Sequence, residues 1–576
     1  MNQKLENILN VSLDATEDEL RKADSLSTGY NWRDNTWEII VKYSGSLESI
    51  RNRYNVYIKE LLNYYAIIVA DKATIELISQ EDVIDYVEKP KSLYYQIERT
   101  KTAACVGSVR ADGNILSGKG VIVGVIDTGI DIFDNAFRNS DGTTRILNIY
   151  DQTTGEKYDK QSIDEYIRLN EDLSGGTFSY DNAPGVDNIM HGTDVSYIAA
   201  GSLGVAYEAD IIAVKMGYSI NNQFPRTTSL MDAIDYIIRK AIEYRKPVAV
   251  NISYGCNYGA HNGNTLLESF IDDISKSYRC VICVGSGNEA DKAIHFGGII
   301  NTGQVQTAYL SVGEYQSAID IQIWKNYWDI IDVMLINPRG EQIGIITEGR
   351  INRYETYNTE IITLLGEPSP YNIYQEIYIN LIPKTDYILS GIWQIVLMAG
   401  SIRAGEYNIW LPSSQALGYA TAFNNPTADG TITIPATARN CIAVGAYNAY
   451  TNSYAAFSGR GFDNSIRNVN AGVKPDITAP GVDISIARQR GNDITYRNVT
   501  GTSYAVPVVT GAAALLMQWG IVMGNDRFMY GEKLKAALIN GSKPVGLVGI
   551  TRNDNQPDPR TGWGAVCLKN TLNKIL

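Results

Sequence analysis

Between residues 120 and 290 continuous apolar runs alternate with amphipathic ones, and no other feature restricts the fold as tightly. The run "GVIVGVIDTG" (120–129) is β-branched without polar alternation, as a strand covered on both faces requires. "ADIIAVKM", "PVAVNISYG" and "CVICVGSGNE" repeat that character. Between them, "SLMDAIDYIIRKAIEYR" puts Leu230, Ala233, Ile234, Ile237, Ile238, Ala241 and Ile242 on one helical face, and "NTLLESFIDDISKSYR" is a second amphipathic helix. Strand–helix–strand repetition of this kind predicts an α/β fold: a parallel sheet with right-handed crossovers and helices on both faces.

Two regions break the rhythm. Residues 37–96 read as strand, helix, strand, strand, helix, strand, the ferredoxin-like α+β order, behind a polar helical lead over 1–25. Residues 297–424 carry strand patterns and turn signals without a helical stretch of useful length, which predicts an inserted all-β sandwich or jelly roll. "NCIAVGAYN" and "KPDITAPG" then return to the α/β style. The expected division is therefore 1–96, 97–296, 297–424 and 425–576. A chain of 576 residues has room for about three or four domains.

The net charge of −13 argues against nucleic acid as a partner. The first twenty residues lack the apolar core of a secretory signal, and no stretch reads as membrane-spanning. The expectation is synthesis in the cytoplasm, with Cys105, Cys256, Cys280, Cys283, Cys441 and Cys567 as free thiols. The Cys280–Cys283 pair lies in a strand-like run, so buried core thiols are the better reading than a metal or redox site.

The run "TGTSYAVPVVTGAAALL" (500–516) opens with Gly501, Thr502 and Ser503 and carries Pro507 soon after. Pro is tolerated in the first turn of a helix, so a helix is expected to begin near Ser503. A hydroxyl there is either an N-cap or a nucleophile beside unpaired N–H groups that stabilise an oxyanion. A nucleophilic Ser needs a base. Of the three histidines, His191 opens "HGTDVSYIAAG", a small-residue helix start, whereas His261 and His295 read as loop residues. Asp127 and Asn288 stand where strands end, and His191 and Ser503 where helices begin, so the four can meet at one edge of the sheet. Taken singly, each residue is more often a turn or cap residue.

The order Asp127, His191, Ser503 is that of the subtilisin-type triad. "VIDTGID", "HGTDVSYIAAG", "NISYG", "VGSGNE", "KPDITAPG" and "GTSYAVPVVTGAAALL" resemble the subtilases in order and context, across most of 100–296 and 425–576. The resemblance implies a serine endopeptidase with a subtilisin-like fold. Ser503 would be the nucleophile, His191 the base, Asp127 its orienting partner and Asn288 an oxyanion donor. Ser253, Tyr254 and Gly255 would pair with an extended substrate, and Gly285, Ser286 and Gly287 would wall the specificity pocket. Residues 1–96 resemble a subtilase propeptide, a folding chaperone and inhibitor, with self-cleavage expected near Gln96. The partners implied are a protein or peptide substrate and the chain's own propeptide. No cofactor is required. Calcium is common in the family, but no contiguous acidic loop assigns a site.

The β insert, the retained propeptide and the absence of a signal resemble the Csp-type proteases of clostridial spores, which activate a cortex-degrading hydrolase zymogen. The alternative class on the same fold is a catalytically idle regulator or germinant sensor. Three positions depart from the family pattern: Asp194 and Val508 each stand where His is usual, and Tyr504 where Met is usual. Asp194 is expected to shift the pH profile modestly, and Tyr504 to resist peroxide.

Overall fold

The computed structural model describes residues 2–92, 94–95, 116–171, 183–217, 224–346, 349–462, 473–490, 493–546 and 557–575. The parallel sheet predicted from the apolar runs is its centre. Six strands lie parallel in the order Ile442–Asn448, Cys280–Gly285, Val248–Ile252, Ile122–Asp127, Asp210–Lys215, Ile146–Asp151. Ile477–Pro480 adds to one side in parallel, and Ser453–Tyr454 and Glu156–Asp159 close the edges antiparallel. The chain enters at the Asp127 strand, builds one side of the sheet, then crosses to build the other. Asp127 therefore ends the strand at which the winding reverses, where open α/β sheets form their crevice.

Both faces are covered, which explains the unbroken apolar runs. One face packs on the helices Thr227–Tyr244 and Leu266–Ser277. The other packs on His191–Ala200 and Thr502–Met517. Cys280 and Cys283 belong to these two opposite cores, so they share neither a bond nor a ligand. Burial pushes both thiols up to about 12. The apolar stretch Thr502–Val522 is, contrary to the sequence expectation, long enough to cross a membrane; 89 % of its apolar window is buried inside the fold, which accounts for its composition.

The N-terminal unit has the predicted order, with strands Thr36–Tyr43, Tyr57–Leu61, Tyr65–Ala70 and Ile84–Glu88. They form an antiparallel sheet in which the fourth pairs with the first, the first with the third, and the third with the second. Ile40, Leu61, Tyr65 and Ile67 pack against the two helices of the neighbouring catalytic face, with the Tyr65 ring edge-on to Phe270 at 5.2 Å. Leu9, Leu26, Val41 and Ile68 share a separate apolar cluster with Ile362, Leu364, Tyr378 and Ile382 of the insert.

The insert is two antiparallel sheets, of six and five strands, around one apolar core. Its first strand, His295–Ile299, starts ahead of the expected boundary at 297 and pairs with Glu406–Trp410. His261 lies in a loop as expected, whereas His295 opens the strand His295–Ile299 instead. Both are buried and stack on Trp410, at 4.2 Å and 4.9 Å between ring centres, because the indole offers a flat apolar face where insert and catalytic sheet meet.

Candidate active site

The Asp127 strand and the His191 helix touch at a point where no side chain fits. A Cβ on Gly192 would lie 2.3 Å from the Gly129 carbonyl oxygen and 2.9 Å from Asp127 Cβ. With Gly there, the imidazole reaches the carboxylate: His191 Nδ1 and Asp127 Oδ1 are 2.6 Å apart, and both residues are buried. The Thr128 amide also donates to Asp127 Oδ1, at 2.8 Å.

The turn entering this helix is held by residues the sequence reading did not single out. Met190, just before His191, has φ +67° and ψ +11°, a left-handed conformation that a bulky residue adopts only under constraint. Asp187 supplies part of that constraint. It accepts from the Met190 amide (2.7 Å), the Thr193 amide and hydroxyl (2.8 Å each) and the Thr128 hydroxyl (2.7 Å). In the sequence Asp187 looks like an ordinary turn residue, and only its complete burial marks it.

The Ser503 helix begins at Thr502, with Gly501 before it, and Ser503 sits fully buried in its first turn. Pro507 lies one turn deeper than expected. Having no N–H, it leaves the Ser503 carbonyl without its intrahelical donor. The Ser253 hydroxyl donates there instead, at 3.3 Å, and itself accepts from Asn251 Nδ2 at 3.0 Å. The proline thus joins the Ser503 turn to Ser253, which links the strands Val248–Ile252 and Tyr254–Gly255. Tyr504 packs its ring edge-on to His191 at 5.3 Å, and burial raises its phenol well above the usual range. It stands as a neutral wall beside the base.

Asn288 follows the turn Gly285–Ser286–Gly287 at the end of the Cys280–Gly285 strand. Its Oδ1 accepts from the Thr502 amide (3.0 Å) and hydroxyl (3.1 Å). Its Nδ2 is buried and has no partner among the described protein atoms. That is a donor held next to the turn of Ser503. The turn before it is rigid. The Ser286 amide donates to Val444 and its carbonyl accepts from Thr433, while the Gly287 carbonyl accepts from Gly459.

Tyr254 and Gly255 form a short strand whose antiparallel partner is the chain itself: Tyr254 lies opposite Tyr95, and Gly255 opposite Tyr94. Upstream, Ser92 bridges Arg226, and the Lys91 carbonyl accepts from the Thr227 amide at 2.6 Å. The segment leaving the N-terminal unit therefore lies extended on the edge expected to receive substrate. Gln96, the expected cleavage position, is outside the described residues.

Asp194 corrects one expectation. It is fully buried and adds no isolated charge beside the base, because Arg488 (Nη2 2.5 Å, Nε 3.1 Å) and Arg497 both pair with it. Neither arginine is legible from the sequence, since each lies about 300 positions from its partner. Among the described residues, no group of three or more His, Cys, Asp or Glu is arranged to hold a metal ion.

Residues 118–370 and 404–564 match the subtilase family, and residues 3–91 match the Csp protease B prodomain. The solved structure of the Clostridium perfringens CspB protease is similar: 34 % identical, TM-score 0.73, covering 81 % of this chain and 95 % of that one. Among curated proteins, the subtilase-type proteinase RRT12 of Saccharomyces cerevisiae is 33 % identical over 22 % of this chain. Subtilisin-like protease 10 of Arthroderma otae is 34 % identical over 21 % of it. These matches span 23 % and 27 % of the two relatives' own lengths.

Proposed function

The chain belongs to the subtilase family of serine proteases and carries a Csp-type prodomain, and from that premise we propose an endopeptidase that processes itself. In this reading Ser503 Oγ attacks the scissile carbonyl carbon. His191 Nε2 takes the hydroxyl proton and delivers it to the leaving amine. Asp127 keeps Nδ1 protonated and stabilises the imidazolium. The oxyanion is received by Asn288 Nδ2 and the Ser503 amide at the positive end of the helix. Water, deprotonated by His191, then releases the acyl group from Ser503.

The observation that carries this reading is the 2.6 Å bond between Asp127 and His191, formed where Tyr504 brings the nucleophile's turn against the imidazole. Pairing of Tyr94–Tyr95 on Tyr254–Gly255 supports a product-like prodomain segment on the substrate edge. Backbone pairing of that kind gives affinity with little sequence preference. The likeness to the CspB protease supports a role in spore germination, with a cortex-hydrolase zymogen as the substrate.

Self-processing is tested by intact mass after expression. The wild-type chain is expected as two fragments broken near Gln96, and Ser503→Ala as one full-length species. A wild-type chain that stays whole while Ser503→Ala also stays whole removes the self-processing proposal.

A further inference from the structure

The strands Ile484–Arg490 and Asp493–Val499 pair antiparallel, and the second runs directly into Ser503. Both send an arginine across to the His191 helix. Arg488 Nη2 donates to the Met190 carbonyl at 2.9 Å, and Arg497 Nη2 donates to the same oxygen at 2.9 Å. Both guanidinium groups also pair with the Asp194 carboxylate. Met190 and Asp194 are one helical turn apart, and His191 lies between them.

Three costs meet at this point. Met190 is held left-handed, a strained conformation for a residue with a side chain. Asp194 is a fully buried carboxylate, which requires pairing. Two arginines on one carbonyl and one carboxylate are held close together, which only the anion makes tolerable. One arrangement offsets all three. The charges that face Asp194 fix the turn that aims the imidazole, and they come from the strand pair whose second member leads to Ser503.

Resting on the peptidase reading above, we propose that Asp194, Arg488 and Arg497 are positioning residues. They form an ionic clamp that sets the distance and angle of His191 relative to Ser503. The clamp touches neither substrate nor reacting atoms. A displacement of the base by about 1 Å costs about 100-fold in rate, so a clamp of this kind is read in turnover rather than in binding.

The test is steady-state hydrolysis of p-nitrophenyl acetate by the full chain after expression, with thermal melting as a check on folding. Arg488→Met and Asp194→Asn are expected to lower kcat about 10- to 100-fold with KM within about twofold. Arg488→Lys, which keeps the charge and loses the planar fork, is expected to recover part of that loss. Should either of the first two fail to fold, Arg497→Lys at the more exposed end of the clamp is read instead, with a kcat loss of about 3- to 10-fold at unchanged KM. Folded variants with wild-type kcat overturn the clamp while leaving the peptidase reading intact. A wild-type chain that hydrolyses no ester either before or after limited proteolysis of the prodomain removes that reading, and the clamp with it.

Discussion

The sheet rim and the junction of prodomain, catalytic sheet and insert both bury charge, on opposite principles. At the rim, Asp127 meets an imidazole and Asp194 meets two guanidinium groups. At the junction, Glu6, Glu88, Glu376 and Asp320 gather around Lys89 and Lys91. A small cavity there, of about 40 Å³, is lined by Glu6, Glu88, Glu367 and Glu376. Burial lifts the carboxyls of Glu6 and Glu376 to about 7 and drops the Lys89 ammonium to about 7. Lys91 is held charged by Glu6 (2.7 Å) and Glu88 against the same desolvation. The difference teaches where each region keeps its tolerance. The rim holds paired groups in fixed geometry, as catalysis requires. The junction holds protons that come and go, and its cohesion comes from apolar contact between prodomain and insert.

The comparison makes separable predictions. At the rim, Asn288→Ala should lower kcat for ester hydrolysis by about 100- to 1,000-fold with little change in KM, because its amide is engaged only in the transition state. A matching loss in KM would mean that Asn288 binds ground-state substrate, and the rim would not be preorganised for charge.

At the junction, Leu364→Ala removes a fully buried insert side chain from the cluster it shares with Leu9, Val41 and Ile68. The expected cost is about 2–5 kcal/mol, seen as a lower denaturation midpoint, with kcat unaltered. A drop in kcat at full stability would break the division of labour between the regions.

Glu376→Gln gives the smallest effect, and it depends on pH. Glu376 accepts from Asn7 Nδ2 (3.2 Å) and is bonded to Gln322, yet burial dominates and raises its folded pKa from 4.5 to about 7. The native state therefore holds a proton that the unfolded chain has released between those values. Its contribution is fully present below about 4.5 and is lost as pH rises through about 7, a change of at most roughly 3 kcal/mol. Melting curves of Glu376→Gln should show a flatter pH dependence across that window, and relative stabilisation above it. An unchanged slope would contradict the assignment of the pH response to this carboxyl.

What the sequence made legible follows from the range of each constraint. The strands Ile122–Asp127, Asp210–Lys215, Val248–Ile252 and Cys280–Gly285 were readable because double-sided burial imposes unbroken apolar runs, whereas Ile146–Asp151, with its alternating polar residues, was not singled out. Asp127, His191, Asn288 and Ser503 stood out as candidates because the chemistry demands those residue types in recognisable local settings, and the structure brings Asp127 to His191 and Asn288 to the turn of Ser503. The prodomain order was local too, and the structure has it. Arg488 and Arg497 were hidden because nothing near them in sequence reports a carboxylate contributed by residue 194. The burial of His261 and His295 was hidden because Trp410, on which both stack, is supplied by a strand more than a hundred residues away. Pro507 was misplaced by a turn because the compensating hydroxyl, Ser253, lies between two distant strands.

The central claim is that Asp127 and His191 make the hydroxyl of residue 503 nucleophilic. Reaction of the full chain with a fluorophosphonate, followed by peptide mapping, measures this directly. The account predicts a single adduct on Ser503 that disappears in His191→Ala. An adduct forming at the same rate without the imidazole, or no adduct on Ser503 either before or after limited proteolysis of the prodomain, would contradict it.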